Sequence, residues 1–244
     1  MKRLDTLTQP VPPESYSYSD KIYEFRIERS TDPRTPLETF SPLHYEPGYA
    51  YPLIVWLHGS GDNETQLRRV MPVASSRNFV AVAPRGTRKS ARHSARFPVH
   101  CWSQRPGEIE RAAQAVSAAI ESARENYNIH ERRIFLAGYR DGGTMALRLA
   151  LQNPAAYAGV VSINGGLPEG SSPLRGLPAI RDLRMLVMQC QQGTDYPEAQ
   201  LCNDIRLAHS AAFKMDVRQY LCEDAIMTDM LQDMNSWVMG RVLE

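Results

Sequence analysis

Short, unbroken apolar runs recur along this chain with helical stretches between several of them, and this alternation restricts its possible folds more than any other feature. The runs are LIVWL (53–57), FVAVA (79–83), IFLA (134–137), GVVSI (159–163) and MLVM (185–188). Such runs are typical of central strands covered on both faces. Because parallel neighbours need crossover connections, the pattern predicts a mainly parallel, doubly wound α/β sheet with helices on both faces.

Two stretches have clear helical periodicity, and one has the periodicity of an edge strand. Residues 108–127 and residues 227–239 place apolar side chains three and four positions apart, along one stripe of a helix. Residues 22–29, IYEFRIER, alternate apolar and charged side chains instead. We expect this segment to form an antiparallel strand with one face in water, at the edge of the sheet.

The length of the chain and the absence of internal linkers indicate one large domain. No Gly/Ser-rich or Pro-rich stretch divides the 244 residues. The first 20 residues are polar and carry three prolines, Pro10, Pro12 and Pro13. We therefore predict an N-terminal arm over residues 1–20 and a single domain over residues 21–244.

Composition argues against several classes of partner and cofactor. The 28 basic and 27 acidic residues give a formal net charge of +1, so we expect no nucleic acid partner. The four cysteines are scattered without metal-ligand spacing, so we expect no metal and no cofactor. No apolar run is long enough for a signal peptide or a membrane span, which makes a cytoplasmic protein the expectation.

The stretch IFLAGYRDGG (134–143) runs an apolar strand into a corner bracketed by glycines, and a helix-like segment, TMALRLAL, follows. A corner of this kind usually holds a nucleophile up to a substrate. Here Arg140 stands at its centre. A guanidinium is always protonated and has no lone pair to offer, so it cannot act as a nucleophile.

The order of these pieces resembles the α/β-hydrolase fold and, within it, the phospholipase/carboxylesterase group that includes acyl-protein thioesterase-like enzymes. The segments that carry the resemblance are YPLIVWLHGSGDNE (51–64), VAVAPRG (80–86), CWSQ (101–104), RRIFLAGYRDGGTMALRLALQNPAAYAGVVSINGG (132–166) and MTDMLQDMNSWVM (227–239). They cover roughly residues 50–240. The resemblance implies the machinery of a serine ester hydrolase: an elbow nucleophile, a histidine base, an orienting carboxylate and two oxyanion N–H groups.

Two of the three triad residues are replaced in this sequence. The pattern G-x-S-x-G is matched by residues 138–142 with Arg140 in the place of the serine. Asp195, at the end of QQGTD, matches the family's acid position, and Asp224 matches the position of the histidine base. No histidine occurs after His209. The resemblance thus makes Arg140, Asp195 and Asp224 the triad-equivalent residues.

The loop that supplies oxyanion donors is retained. His58, Gly59, Ser60 and Gly61 match the family's H-G-x-G loop, in which the histidine usually has a structural hydrogen-bonding part. The resemblance implies that the N–H groups of Ser60 and Asp141 point into one small space at a helix N-terminus. Such a site binds anions whether or not a nucleophile is present.

A basic segment follows the second apolar run, and we expect it at the rim of the same cleft. It begins with Arg85, Arg88 and Lys89 and extends to Arg96 without an acidic residue. These side chains are candidate ligand contacts. A solvated surface run is the alternative interpretation, and it is the more usual one for charge clusters.

Two uses of Arg140 remain open. The guanidinium can pair with Asp195 and Asp224 in an ion-pair cluster, or it can point into the cleft and help hold a carboxylate, phosphate or sulfate. A shifted register with Asp141 as a dehalogenase-like nucleophile is a further alternative. It would place the bulky Tyr139 where the tight turn favours a small residue.

The leading hypothesis is a pseudoenzyme: a non-catalytic or altered family member that binds a small anionic or acyl-type ligand at the former oxyanion site. The first rival is an active carboxylic-ester hydrolase with a relocated nucleophile, for which Ser60, Cys101, Ser103 and His58 lie in segments near the expected cleft. The second rival is a scaffold or interaction protein. In that case the arm over residues 1–20 would contact a partner or a second copy of the chain, as in a homodimer.

Overall fold

The computed structural model describes residues 26–29, 36–88, 99–170 and 177–243. Three predicted features lie wholly or partly outside the described residues. They are the arm over residues 1–20, the first four residues (22–25) of the edge strand, and the basic segment from the rim candidate Lys89 to Arg96. Arg88 is described by its backbone alone.

The described residues form ten strands. In chain order they are β1 (Arg26–Arg29), β2 (Leu37–Ser41), β3 (Tyr51–Leu57), β4 (Val80–Pro84), β5 (Thr87–Arg88), β6 (His100–Cys101), β7 (Ile129–Tyr139), β8 (Gly159–Ile163), β9 (Arg184–Cys190) and β10 (Lys214–Tyr220). Eight of them build one sheet in the order β1-β2-β4-β3-β7-β8-β9-β10, and β5 pairs with β6 in a small ribbon. The β1–β2 and β2–β4 pairs are antiparallel, whereas every pair from β4 to β10 is parallel.

Helices connect the strands across both faces of the sheet. They are α1 (Leu67–Ala74), α2 (Pro106–Asn126), α3 (Asp141–Gln152), α4 (Leu177–Asp182), α5 (Glu198–Ala211) and α6 (Thr228–Val242). This arrangement confirms the predicted α/β-hydrolase fold, with its mainly parallel sheet between two layers of helices. In the described part of the chain, no helix combines the length and apolar character that crossing a membrane requires.

Alternation along β3 explains why the sheet has a core on each face. Leu53, Val55 and Leu57 pack with side chains of α2 and α3, while Ile54 and Trp56 pack with side chains of α1 and α6. Successive strand residues point to opposite faces of the sheet. A run of consecutive apolar residues therefore supplies buried side chains to both faces.

Two sheet strands, β2 and β10, were not predicted from the sequence. β10 (KMDVRQY) is an edge strand whose side chains are exposed or half-buried, so it lacks a long apolar run. β2 (LETFS) places Glu38 inside the protein, where its carboxylate accepts a hydrogen bond from Arg68 Nη2 at 2.7 Å. A buried but paired carboxylate hides the hydrophobic signal on which strand prediction depends.

Parallel strands bring the candidate site residues together. The segments that follow β3, β4, β7, β9 and β10 all leave the sheet at the same edge, the one formed by the carboxyl ends of the strands, because these strands run in one direction. This edge carries His58, Arg85, Arg140, Asp195 and Asp224. Ligands of open α/β sheets collect at the carboxyl ends of the strands, so this edge is the candidate site.

Candidate functional site

Arg140 occupies the tip of a sharp strand-to-helix turn. β7 ends at Tyr139 and α3 begins at Asp141, and Arg140 between them has φ 52° and ψ −121°. Its N–H donates to Ile163 O at 2.8 Å, and its carbonyl accepts from Thr144 N at 3.0 Å. Positive φ is uncommon for a side-chain-bearing residue and concentrates at functional sites. The backbone therefore has the conformation of a nucleophile elbow, with a guanidinium in place of a hydroxyl.

The glycines on either side of the tip are required by close backbone approach. A Cβ atom on Gly142 would lie 2.3 Å from Leu57 O, and one on Gly138 would lie 2.5 Å from the carbonyl of Gly142. These neighbours are backbone atoms, which cannot swing aside. The turn is consequently fixed by its packing against β3, whatever side chain stands at position 140.

The Arg140 side chain turns toward the segments after β9 and β10. Its Nε forms an ion pair with Asp195 Oδ2, without the alignment of a hydrogen bond. Its Nη2 donates to the backbone carbonyl of Asp224 at 3.0 Å, and the guanidinium carbon lies 5.0 Å from the centre of the Tyr139 ring. The Arg140 side chain remains 32% exposed, so solvent still reaches it.

Asp224, at the position of the family's base, is braced by the loop that carries Asp195. Its carboxylate accepts from Thr194 N at 2.7 Å, from Thr194 Oγ1 at 2.9 Å and from Asp195 N at 3.2 Å. Burial by itself raises the pKa of this carboxyl, but the hydrogen bonds and the Arg140 charge outweigh it, and the pKa is lowered. A carboxylate of lowered pKa is a weak proton acceptor, so Asp224 is a poor substitute for an imidazole.

The predicted Arg–Asp–Asp cluster is thus brought together in a modified form. Arg140 pairs with the carboxylate of Asp195 but bonds to the carbonyl of Asp224. Tyr139 Oη donates to that same carbonyl at 2.8 Å. No motif in the sequence indicated this use of Tyr139 or the contacts from Thr194, because both depend on residues distant along the chain.

On the other side of the elbow, the Asp141 carboxylate lies beside the two predicted oxyanion donors. Trp102 N donates to Asp141 Oδ2 at 2.7 Å. Burial raises the Asp141 pKa to about 6, against the N–H groups of Trp102, Gly142, Ser60 and Asp141, which lower it. The two predicted oxyanion donors therefore lie close enough to the Asp141 carboxyl to lower its pKa, although burial has the larger effect. The shifted register with Asp141 as nucleophile does not match the geometry, since Asp141 is the first residue of α3 and not the tip of the turn.

His58 is fully engaged in holding the loop. The ring is buried, its Nε2 accepts from Gly86 N at 2.9 Å, and its Nδ1 lies 2.8 Å from Gly59 O. Since Nε2 is the acceptor, Nδ1 carries the proton and donates it to Gly59 O. Burial lowers the His58 pKa to about 4, so the ring is neutral at physiological pH. Its acceptor nitrogen is occupied, which prevents it from serving as a base for the exposed Ser60.

The family model described as phospholipase/carboxylesterase matches residues 47–237, more than half of the chain. The chain belongs to the phospholipase/carboxylesterase family. Among curated proteins it is similar to one from Nocardia uniformis subsp. tsuyamanensis named "Putative esterase NocK", with 26% identity over 140 residues. That match spans 54% of this chain and 40% of the relative.

This family member shares its fold with solved structures of esterases. A carboxylesterase from Mesorhizobium loti superimposes with a TM-score of 0.66 at 17% identity, covering 88% of this chain and 99% of that chain. Arabidopsis thaliana SOBER1 gives a TM-score of 0.63 at 17% identity, with 79% and 100% coverage. A ferulic acid esterase gives 0.67 at 11% identity, with 89% and 98% coverage. Identities this low show the shared fold alone.

In this phospholipase/carboxylesterase family member, Arg85 is the predicted rim residue whose side chain the structure describes, and it pairs with Glu64. Arg85 Nε donates to Glu64 Oε2 at 2.6 Å, and its Nη2 contacts Glu64 Oε1. Glu64 is fully buried and follows the H-G-x-G loop as part of a short 3-10 turn. A bidentate pair with a buried carboxylate commits the guanidinium of Arg85 to this loop. The geometry therefore gives no support to a ligand contact by Arg85.

The remaining predicted positions are backbone elements of the loop. Gly61 has φ 92°, and its N–H donates to His100 O at 3.0 Å, which joins the loop to β6. A Cβ atom on Gly59 would lie 2.6 Å from the Tyr139 ring. Within the four described ranges, no three or more His, Cys, Asp or Glu side chains are grouped to hold a metal ion.

Proposed function

We propose that this protein does not hydrolyse esters by a serine mechanism and instead binds a small anionic or acyl-type ligand in the cleft above the elbow. One observation carries the proposal: the tip of the elbow, at φ 52°, holds Arg140. Acyl transfer needs a lone pair at that point to attack the carbonyl carbon. A protonated guanidinium has none to give.

The groups around Arg140 also disfavour ester hydrolysis. Asp224 stands where a base is needed but is held by the amides of Thr194 and Asp195 with a lowered pKa. Losing nucleophile and base leaves at most the residual catalysis of the oxyanion site and binding, roughly 10³–10⁴ over water. The ionised Asp141 carboxylate, near Ser60 N, opposes even this residual catalysis, because it repels the negative charge that develops in the transition state.

The same geometry suits an anionic ligand. Arg140 is half-buried, and its ion pair with Asp195 and bond to Asp224 O use only part of a five-donor guanidinium. The donors that remain match a carboxylate or phosphate. Asp141 works against such a ligand when it is ionised. Since its pKa is about 6, protonation below that pH removes the repelling charge, and binding strengthens as pH falls.

Hydrolysis is tested with p-nitrophenyl acetate and p-nitrophenyl butyrate and with a fluorophosphonate probe. We expect turnover near the uncatalysed rate and no labelling, both for the parent chain and for Arg140→Ala. Robust parent turnover that disappears on replacement of Ser60 or Cys101 would overturn the proposal and support a relocated nucleophile.

Binding is tested by thermal shift and calorimetry with acetate, butyrate and inorganic phosphate at about pH 5 and about pH 7.5. We expect affinity to be higher at the lower pH and to be lost in Arg140→Gln. Arg206→Gln is the matched control, since it removes the same charge from an exposed position of α5. Equal binding by both variants would show that Arg140 does not hold the ligand. Binding of no probe at either pH would favour the scaffold role.

A further inference from the structure

Two buried cysteines meet beneath the segments that carry Asp195 and Asp224. Cys190 is the last residue of β9, and Cys222 follows the end of β10 by two residues. Their side chains are almost entirely enclosed, at 1% and 7% exposure. The two sulfur atoms are 2.6 Å apart, and both thiols are free. The covalent S–S length is about 2.05 Å, so the sulfurs need to move by only about half an ångström to bond.

The backbone holds the two cysteines in this position. Cys190 pairs with Tyr220 in the parallel register of β9 and β10. Gln191 N then donates to Tyr220 O at 2.8 Å, and Gln192 N donates to Cys222 O at 3.0 Å. These main-chain bonds hold the two segments side by side where the cysteines lie. A bond between the sulfurs therefore requires no rearrangement of the sheet.

We propose that Cys190 and Cys222 are an oxidative modification site, at which hydrogen peroxide converts the two thiols into a reversible disulfide. In the first step the sulfur of Cys222, after losing its proton, attacks one peroxide oxygen. An S–O bond forms, the O–O bond breaks, and hydroxide leaves. In the second step the sulfur of Cys190 attacks the sulfenic sulfur of Cys222. The S–S bond forms, the S–O bond breaks, and water leaves with the proton of Cys190. Both sulfurs are oxidised, and one peroxide is reduced to two waters.

The order of the two steps follows from access. Cys222 is the more exposed of the pair, and peroxide is small enough to reach a nearly closed site. Burial, followed by the hydrogen bond with Cys190, raises the pKa of the Cys222 thiol. Little thiolate is present at neutral pH, so oxidation is slow there and accelerates as pH rises.

The disulfide would join the two segments that supply the partners of Arg140. Residues 190–195 lead from Cys190 to Asp195, and Asp224 lies two positions after Cys222. The bond closes the covalent loop from 190 to 222, which restricts the unfolded chain. Loop-closure entropy for a segment of this size corresponds to a rise in Tm of roughly 5–15 °C.

The test uses the full chain with Cys101→Ser and Cys202→Ser, which leaves only the buried pair. After peroxide treatment the protein is unfolded and alkylated. We expect two fewer alkylated thiols than in the untreated protein, a mass lower by about 2 Da when the two samples are compared before alkylation, and one peptide pair linked without reductant. Dithiothreitol should restore both thiols, and Tm should be higher before its addition than after it.

Two further variants, each made in the same background, separate the proposal from nonspecific oxidation. Cys222→Ala should yield no linked peptide and no reductant-sensitive Tm, and Cys190→Ala should behave alike. Full alkylation of both cysteines after peroxide treatment of the folded parent background would overturn the proposal. So would a disulfide that links two chains instead of one. Both outcomes are read on the parent background, so they hold even if an alanine variant fails to fold.

Discussion

The two sides of the cleft keep their shape by different means. The oxyanion side (Gly59, Ser60 and Asp141) rests on close backbone packing, such as the bond from Gly61 N to His100 O, and on the buried, neutral ring of His58, which accepts from Gly86 N. The acid-base side (Arg140, Asp195 and Asp224) is held by side chains: an ion pair, and a carboxylate that caps the 194–195 amides.

This difference separates the parts of the site that depend on the residue at position 140 from the parts that do not. Close backbone packing at the elbow depends on glycines and on β3, so it is indifferent to the residue at the tip. The arrangement of the acid-base side does depend on residue 140, because its groups contact the charge of that side chain. Arg140 accordingly forms its ion pair with Asp195, whereas on the oxyanion side the Asp141 carboxylate accepts from Trp102 N.

The largest expected effect comes from rebuilding the acid-base side. Arg140→Ser alone should leave the hydrolysis of p-nitrophenyl butyrate at the parent level, because no imidazole is present to take the serine proton. Adding Asp224→His should raise kcat/KM over that single variant by about 10²-fold or more, the usual contribution of general base catalysis. Steady-state kinetics and circular dichroism measure activity and folding together.

The control for this series is Asp195→Asn in the rebuilt variant, which should lose most of the gain, since the new histidine would have no carboxylate to orient it. Labelling of Arg140→Ser by a fluorophosphonate probe without the added histidine would mean that the base lies elsewhere.

An intermediate effect tests the claim that backbone contacts hold the oxyanion side. In Gly142→Ala the new Cβ would lie 2.3 Å from Leu57 O, so backbone must shift. We expect a loss of roughly 2–4 kcal/mol in the free energy of unfolding, measured by urea titration. Gly240→Ala is the matched control, because Gly240 lies in α6 with open space around it. That change should be neutral or stabilise the helix by up to about 1 kcal/mol.

The smallest effect concerns the charge on the oxyanion side. Burial raises the Asp141 pKa from 3.8 to about 6, so the folded protein binds this proton more tightly than the unfolded chain does. The resulting stability is complete below about pH 4 and is lost as pH rises through 6. Between pH 5 and pH 7 the loss is about 1 kcal/mol for this group.

His58 has the opposite dependence, so the measurement must be a difference. Its pKa is lowered from 6.5 to about 4, which means that stability is lost as pH falls below 6.5. Asp141→Asn keeps this histidine contribution and removes the Asp141 one. Relative to the parent, the variant should therefore gain about 1 kcal/mol on going from pH 5 to pH 7. An identical pH dependence of the two proteins would show that Asp141 is ionised throughout this range.

Much of the fold followed from local patterns. The five apolar runs became the central strands β3, β4, β7, β8 and β9 because burial on both faces leaves a plain signature in sequence. β2 and β10 left no such signature, since one contains the paired Glu38 and the other lies half in water. For the site, motif spacing located the elbow and the loop at 58–61 but did not reveal the contacts among their side chains.

By itself, the sequence determined the fold family and excluded residue 140 as a nucleophile, because both conclusions depend on residues close together along the chain. A strand, a glycine-bracketed turn and a helix are consecutive, and a guanidinium lacks a lone pair in any surroundings. Only the tertiary structure decided where Arg140 turns, what charge lies beside Ser60 N, and that Cys190 and Cys222 touch. Those outcomes depend on rotamers and burial among segments far apart in sequence, which are settled only when the strands are placed side by side.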